Sequence, residues 1–322
     1  MNTEYAQTAP FPCPICGASA HYSHSGRDVR RQDHKRYDYH ACRDCGACFL
    51  CPMPDEATVS GFYPEEYVKE DDPARPKRTS QLRQAELQRH HGYAHLRPGF
   101  AYRTLAALLA PFYRKPAIDY APGGTLLDVG CGNGRYLRTM RGLGWNVRGV
   151  EFNRLSVEHC RRAGLEVHCG DLTSADFPAE SFDVITARHV IEHIPTPQAF
   201  MAELARLLKP GGMLVVETPN YESLGWSWFA TRWYASAIPY HLMLFSPRNL
   251  TLLAQRHGLA LRSLRLETSP KFFLNSIDNL AGPKGRPSRK VKWRRMLARW
   301  YVWQAQKLGR GDVIHAAYVR GK

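Results

Sequence analysis

One segment constrains this chain more than any other: Leu126-Leu127-Asp128-Val129-Gly130-Cys131-Gly132-Asn133-Gly134. Its short apolar run reads as a buried strand, Thr125 to Val129. The run feeds a turn in which Gly130, Gly132 and Gly134 lack Cβ atoms, so the backbone can bend tightly and approach a ligand. A helical pattern follows from Gly134 to Arg141, and the first N–H groups of a helix have no partner within it. The alternation continues downstream. Strands are expected at Val147 to Phe152, Val167 to Cys169, Phe182 to Ala187 and Met213 to Glu217, with helices at Ser156 to Ala163 and Gln198 to Leu208. Strands alternating with helices predict an α/β fold, a parallel sheet covered on both faces.

The N-terminal region obeys a different logic. Six of the nine cysteines fall between Cys13 and Cys51. Four of them form two matching knuckles, Cys13-Pro14-Ile15-Cys16-Gly17 and Cys42-Arg43-Asp44-Cys45-Gly46. Paired thiolates on tight turns can point to one ion, and two such turns complete a tetrahedral zinc site. Four cysteines leave no open position for water, so this zinc is expected to be structural. Cys48 and Cys51 read as alternative ligands or as buried thiols, and His21, His24 and His40 as polar surface. An odd cysteine count without an export signal favours reduced thiols.

The 322 residues divide into a zinc-ribbon-like module over 1–54, a helical linker region over 55–116, and a main domain over 117–322. Helices are expected in the linker at Arg83 to Tyr93 and Tyr102 to Tyr113. Met1 to Pro10 shows no basic start followed by an apolar run, and no stretch of about 18 apolar residues occurs, so neither a signal peptide nor a transmembrane helix is expected. A cytoplasmic protein follows, with membrane-peripheral contact as a variant. The formal charge is +15, from 44 Lys and Arg against 29 Asp and Glu. Such a balance points to an acidic partner, whether nucleic acid, anionic lipid or a phosphorylated small molecule. Much of the excess lies in Arg75 to Arg97 and Lys284 to Arg299, each of which also reads as a solvated helix face.

Further motifs follow the glycine turn in order. Glu151 ends the next strand, where a carboxylate can accept hydrogen bonds from both ribose hydroxyls of an adenosine. Gly170-Asp171-Leu172 follows the third strand. Then come Phe182-Asp183-Val184-Ile185, Arg188-His189-Val190-Ile191-Glu192-His193-Ile194, and Leu208-Lys209-Pro210-Gly211-Gly212-Met213-Leu214. From Leu126 to about Asn220 this set resembles the class I S-adenosylmethionine-dependent methyltransferases. The resemblance implies a Rossmann-like, mostly parallel sheet with an antiparallel last strand. It implies that Asp128, Gly130, Gly132 and Gly134 surround the methionine part of the cofactor. Glu151 would bind the ribose, Asp171 and Leu172 would border the adenine, and Arg188 and His189 would face the methyl-donor pocket. With the two knuckles, Phe49-Leu50-Cys51-Pro52, Phe62-Tyr63-Pro64-Glu65-Glu66-Tyr67 and the run Tyr240 to Leu250, the chain resembles bacterial methyltransferases with an N-terminal zinc ribbon. Those are common in polysaccharide and secondary-metabolite pathways.

Methyl transfer from a sulfonium is an in-line displacement that needs mainly positioning. A hydroxyl acceptor also needs a base, and histidine suits neutral pH. His193 and His241 are the candidates, both near the carboxyl ends of strands; each also reads as a histidine that fixes a loop. The aromatic segment Trp226, Trp228, Phe229, Trp233, Tyr234 and Tyr240 reads first as a lid over an apolar or sugar-like acceptor, then as packing, then as a membrane-interface patch. The basic, tryptophan-bearing tail reads as an amphipathic helix on an anionic membrane or as a phosphate-binding surface. Gly311 to Arg320 is expected as a final strand, antiparallel at the sheet edge. The leading function is a methyltransferase acting on a small-molecule, glycan-precursor or secondary-metabolite acceptor. The alternative is an RNA methyltransferase gripping RNA through the zinc ribbon and basic tail, although no recognised RNA-binding module is present.

Overall fold

A computed structural model describes residues 11–29, 35–62, 79–110, 117–281 and 292–321. In chain order the elements are β1 (Phe11–Pro12), β2 (Ser19–Arg27), β3 (Arg36–Cys42), β4 (Cys48–Cys51), α1 (Glu56–Gly61), α2 (Gln81–His90), α3 (Phe100–Leu109), β5 (Thr125–Val129), α4 (Arg135–Gly142), β6 (Asn146–Glu151), α5 (Arg154–Arg162), β7 (Glu166–Cys169) and β8 (Phe182–Arg188). Then follow α6 (Pro197–Leu207), β9 (Leu208–Pro219), α7 (Leu224–Phe229), β10 (Met243–Leu244), α8 (Pro247–Arg256), β11 (Leu259–Glu267), α9 (Pro270–Ala281), α10 (Lys292–Lys307) and β12 (Val313–Arg320). The motif residues 63–67, the end of the expected helix at 111–113, and parts of both basic clusters, 75–78 and 284–291, lie outside the described residues.

The larger sheet runs β11-β12-β9-β8-β5-β6-β7. β5, β6 and β7 pair in parallel, Leu127 opposite Arg148 and Val150 opposite His168. β12 is antiparallel to β11. The final strand is therefore antiparallel, as expected, but it is not at the edge. β11 covers it, a strand absent from the sequence reading. Its arginines stand in solvent, which is how an edge strand avoids pairing with other chains.

The described residues gather into two compact units, one from 65–186 with 206–213 and the other from 1–64, 187–205 and 214–322. In the first, Leu126, Leu127 and Val129 of β5 are buried together with Val150, Val184, Leu137 and Val157. Strands buried on both faces read as continuous apolar runs, which is why β5 was so legible. Asp183 on β8 is pinned by Lys209 at 2.7 Å and by the Thr125 N–H at 2.8 Å.

In the second unit the cysteine-rich region is not merely a set of turns. It forms an antiparallel sheet in the order β1-β2-β3-β4-β10. β10 arrives from nearly 200 residues downstream, with Met243 opposite Phe49 and Leu244 opposite Cys48. A core of Tyr39, Leu50, Ile238, Tyr240, Leu242 and Leu244 closes beneath it.

The aromatic segment is packing rather than a lid. Trp233 is buried and donates from Nε1 to Asp312 Oδ1 at 2.9 Å. Tyr301 donates to the same carboxylate at 2.7 Å, and Thr268 also bonds to it. A carboxylate taken out of water needs such donors, and here it ties three separate segments of the chain together. Trp228 alone among these tryptophans keeps a large exposed surface. No helix among the described residues is long and apolar enough to cross a membrane.

Candidate functional site

The glycine turn of the first unit is a cradle. Gly130, Gly132 and Gly134 have φ of 69°, 53° and 70°, values that side-chain-bearing residues rarely adopt. The Gly130 and Cys131 N–H groups both donate to the Val150 carbonyl and tie the turn to β6. At Gly134 a Cβ would lie 2.5 Å from Leu165 Cδ1 and 2.8 Å from Cys160 Sγ, so packing of α4 on its neighbours demands glycine. At Gly132 a Cβ would meet nothing within 4 Å. A side chain there would not fill the loop itself; it would project into the open space beside it.

Glu151 turns towards this loop. Its Oε2 accepts the Gly132 N–H at 2.7 Å and its Oε1 accepts the Asn153 N–H at 2.9 Å. Each carboxylate oxygen has a second lone pair for a ribose hydroxyl. Asp128 is buried under the turn and accepts the Thr186 hydroxyl at 2.6 Å. Asp171 is exposed and accepts the Ser174 N–H at 2.8 Å, while Leu172 beside it is buried. The Gly170 N–H, bonded to the Glu151 carbonyl, holds these two motifs together. Glycines at positive φ, an open space where a Cβ would stand, and a carboxylate beside it fit a nucleoside cofactor with an amino-acid tail.

The second unit carries a cluster that the sequence reading named only in part. A 3₁₀ turn, Ile191–His193, follows β8 and places Glu192 in the interior, 1% exposed. Its carboxylate accepts the Thr218 hydroxyl at 2.9 Å and faces His189 Nδ1 at 3.3 Å. Burial works to raise its pKa, but the His189 hydrogen bond and the charges of His193, His241 and His189 outweigh it and bring it to about 2. His189, at φ 56°, is held by its own N–H bond to the Glu217 carbonyl. Burial pulls its pKa down, but the bond and charge of Glu192, with Glu217, raise it above the ordinary value. Arg188 is half-buried, and its charge acts on both Glu217 and His189.

His193 Nδ1 lies 2.8 Å from the Tyr240 carbonyl. A carbonyl only accepts, so Nδ1 carries the proton and the neutral ring has its lone pair on Nε2. His241 is bonded in the same way to the Ala235 carbonyl at 2.9 Å, and its ring meets that of His193 edge-on at 4.8 Å. Burial, joined by the charge of His193, lowers its pKa to about 3, so it stays neutral. The Leu242 N–H, next in the chain, donates to the Glu192 carbonyl at 2.8 Å. Ligating atoms of Glu192, His193 and His241 lie within 4.8 Å of one another, a donor set that also suits a divalent cation.

The four knuckle cysteines form the second donor set, with their sulfurs within 4.8 Å of one another. Cys13 Sγ is 3.5 Å from Cys45 Sγ, and Cys16 Sγ is 3.4 Å from Cys42 Sγ. A tetrahedral ion with Zn–S bonds of about 2.3 Å needs sulfurs about 3.8 Å apart. The knuckles repeat each other: Gly17 and Gly46 take φ of 79° and 73° and bond back to the Cys13 and Cys42 carbonyls. Cys48 and Cys51 do not join this group. They are buried in β4, where burial raises their thiols to about 12 and 11. His24 stacks flat on Tyr39 at 5.2 Å instead of facing solvent.

The structure thus assembles Asp128, the three glycines, Glu151, Asp171 and Leu172 in one place, and Arg188, His189, His193 and His241 in another. Glu192 and Thr218 are the members that the sequence reading left without a role. The one available signal was a carboxylate between two histidines in a short turn.

A family model described as a methyltransferase domain matches residues 93–264, more than half of the chain. A ubiquinone biosynthesis O-methyltransferase from Thiobacillus denitrificans is 34% identical over 105 residues, 30% of this chain and 45% of that protein. One from Caulobacter vibrioides is 36% identical over 105 residues, 30% of this chain and 42% of that protein. The chain therefore spans less than half the length of these relatives. A solved structure of a putative methyltransferase from Bacillus halodurans is similar at a TM-score of 0.46 and 16% identity, covering 63% of this chain and 94% of that one.

Proposed function

Because this chain belongs to the methyltransferase-domain family, we propose that it is an S-adenosylmethionine-dependent methyltransferase acting on a hydroxyl of a small-molecule acceptor. The cofactor supplies an already activated methyl group. Asp128, Gly130, Gly132 and Gly134 would hold its methionine part, Glu151 its ribose, and Asp171 with Leu172 its adenine, while Arg188 and His189 would face the methyl-donor end. The knuckle cysteines Cys13, Cys16, Cys42 and Cys45 would hold a structural zinc. The division at 54 and 116 belongs to the same reading.

One observation carries the choice of oxygen: the Tyr240 carbonyl takes the Nδ1 proton of His193 at 2.8 Å, which orients the ring and leaves Nε2 as its proton-accepting nitrogen. A hydroxyl must shed its proton as the methyl arrives, and a base of this kind contributes roughly 10²–10⁴ in rate. His193 would accept that proton, and the ionised Glu192 would stabilise the imidazolium that forms. His241, neutral and deeper, would hold the ring of His193 in place; the sequence also names it as a base, but a pKa of about 3 makes it a poor proton acceptor. The two relatives named above are O-methyltransferases by name, which agrees with an oxygen acceptor. A glycan precursor or secondary metabolite remains within this class. RNA as acceptor has no counterpart among these observations.

The test offers labelled S-adenosylmethionine with a small-molecule and lipid extract and, separately, with total RNA. Label should enter the small-molecule or lipid pool, and His193→Ala should lower its turnover about a hundredfold or more while leaving affinity for S-adenosylhomocysteine unchanged. Label in RNA would overturn the acceptor class. Wild-type turnover in the variant would remove the base.

A further inference from the structure

Helix α10 divides its circumference three ways. Arg294, Ala298, Tyr301 and Ala305 are buried against the protein, and Arg294 bonds the buried Asp278 at 2.6 Å. At 3.6 residues per turn, Trp293, Met296, Trp300 and Trp303 fall together on a second arc of roughly 100°, turned away from the first. All four are about half exposed or more: 52%, 66%, 47% and 52%. Lys292, Arg295 and Arg299 stand exposed on the remaining arc, along one border of the apolar stripe. Trp228 of α7 extends the stripe, its ring 5.6 Å from that of Trp300 and tilted by only 30°.

A contiguous exposed apolar face of this size marks an interaction site, and its occupant can be read from charge. Residues 282–311 contain ten Lys or Arg and no Asp or Glu. Tryptophans favour the headgroup region of a bilayer, and cations at the border of an apolar helical face favour anionic lipids. A single-stranded nucleic acid would call for cations interleaved with stacking rings along a groove. Here Lys292, Arg295 and Arg299 lie to one side of an apolar stripe that includes Met296, and Lys307 caps its C-terminal end over the Trp303 ring. We propose that α10 with Trp228 seats this protein on the surface of an anionic phospholipid bilayer. The seat is independent of the methyl-transfer reading, because α10, which carries all of it but Trp228, lies outside the residues matched by the methyltransferase-domain model.

The experiment uses the full chain with two kinds of vesicle, phosphatidylcholine alone and equal parts phosphatidylcholine and phosphatidylglycerol, scored by cosedimentation and tryptophan fluorescence. Anionic vesicles should bind the protein and shift its emission to the blue, and neutral ones should bind far less. Each bordering cation near the surface is worth about fivefold, so Arg295→Gln with Arg299→Gln should weaken binding about 25-fold. Trp300→Ser with Trp303→Ser should weaken it at least about tenfold, with a melting temperature close to wild type because both side chains lie outside the core. Equal binding to both vesicles, or full binding by the tryptophan variant, would overturn the proposal. So would a dimer in solution that the tryptophan variant abolishes, or a single-stranded RNA probe that binds through these residues while vesicles do not.

Discussion

Replacing Glu192 with glutamine removes a buried charge and keeps the shape around it. In the fold this carboxyl titrates at about 2, against an ordinary 4.5. Glutamine stands in for the protonated form, so the substitution forfeits the advantage of the ionised one. A unit of pKa is worth about 1.4 kcal/mol, which makes the expected loss at most about 3 kcal/mol at neutral pH, where His241 is neutral and no longer adds its charge. The sign follows from proton binding. Between 2 and 4.5 the unfolded chain holds a proton that the folded chain does not, so folding loses this contribution as pH falls through that window. The gap between wild type and variant should be complete above 4.5 and shrink to about 2 kcal/mol near pH 3.5. Urea unfolding followed by tryptophan fluorescence at both pH values measures it, and the difference between the two chains cancels whatever the four thiols contribute to each. A gap under about 1 kcal/mol at neutral pH, or one that widens on acidification, would show that the surrounding histidines do not hold this carboxyl ionised.

Two further outcomes follow from the cradle and the knuckles. Gly132→Val puts a branched side chain at φ 53° and into the open space beside the loop, so affinity for S-adenosylhomocysteine by calorimetry should fall at least about tenfold; unchanged affinity would remove the cradle's role. Cys16→Ser should reduce bound zinc from one per chain to none in elemental analysis of freshly purified protein and lower the melting temperature, whereas a wild-type chain purified without zinc would refute the site.

The parallel strands were legible because burial on both faces writes itself into consecutive residues, as in Leu126-Leu127-Asp128-Val129. The knuckles were legible because both ligand pairs are local. What escaped depends on partners distant in sequence. Glu192 acquires its meaning from His241, 49 residues on, and from Thr218. Trp233 looked available for a lid because its partner, Asp312, lies 79 residues away. β11 has Leu259, Leu261, Leu264 and Leu266, but a register shift between Leu261 and Ser263 breaks their alternation and the strand is exposed along nearly its whole length. β10 is two residues long, too short for any periodicity to show.

That two-residue strand also joins what the sequence keeps far apart. Its neighbour Leu242 accepts the Leu50 N–H from β4 and donates its own N–H to the Glu192 carbonyl, both at 2.8 Å. Tyr39 on β3 bonds the His241 carbonyl at 2.8 Å. The N-terminal fifty residues are thus a buttress for the histidine cluster, not an appendage to it. Such a region is not interchangeable between chains: a ribbon grafted from another protein would need the same tyrosine and the same register against β10, or the imidazoles would lose their footing.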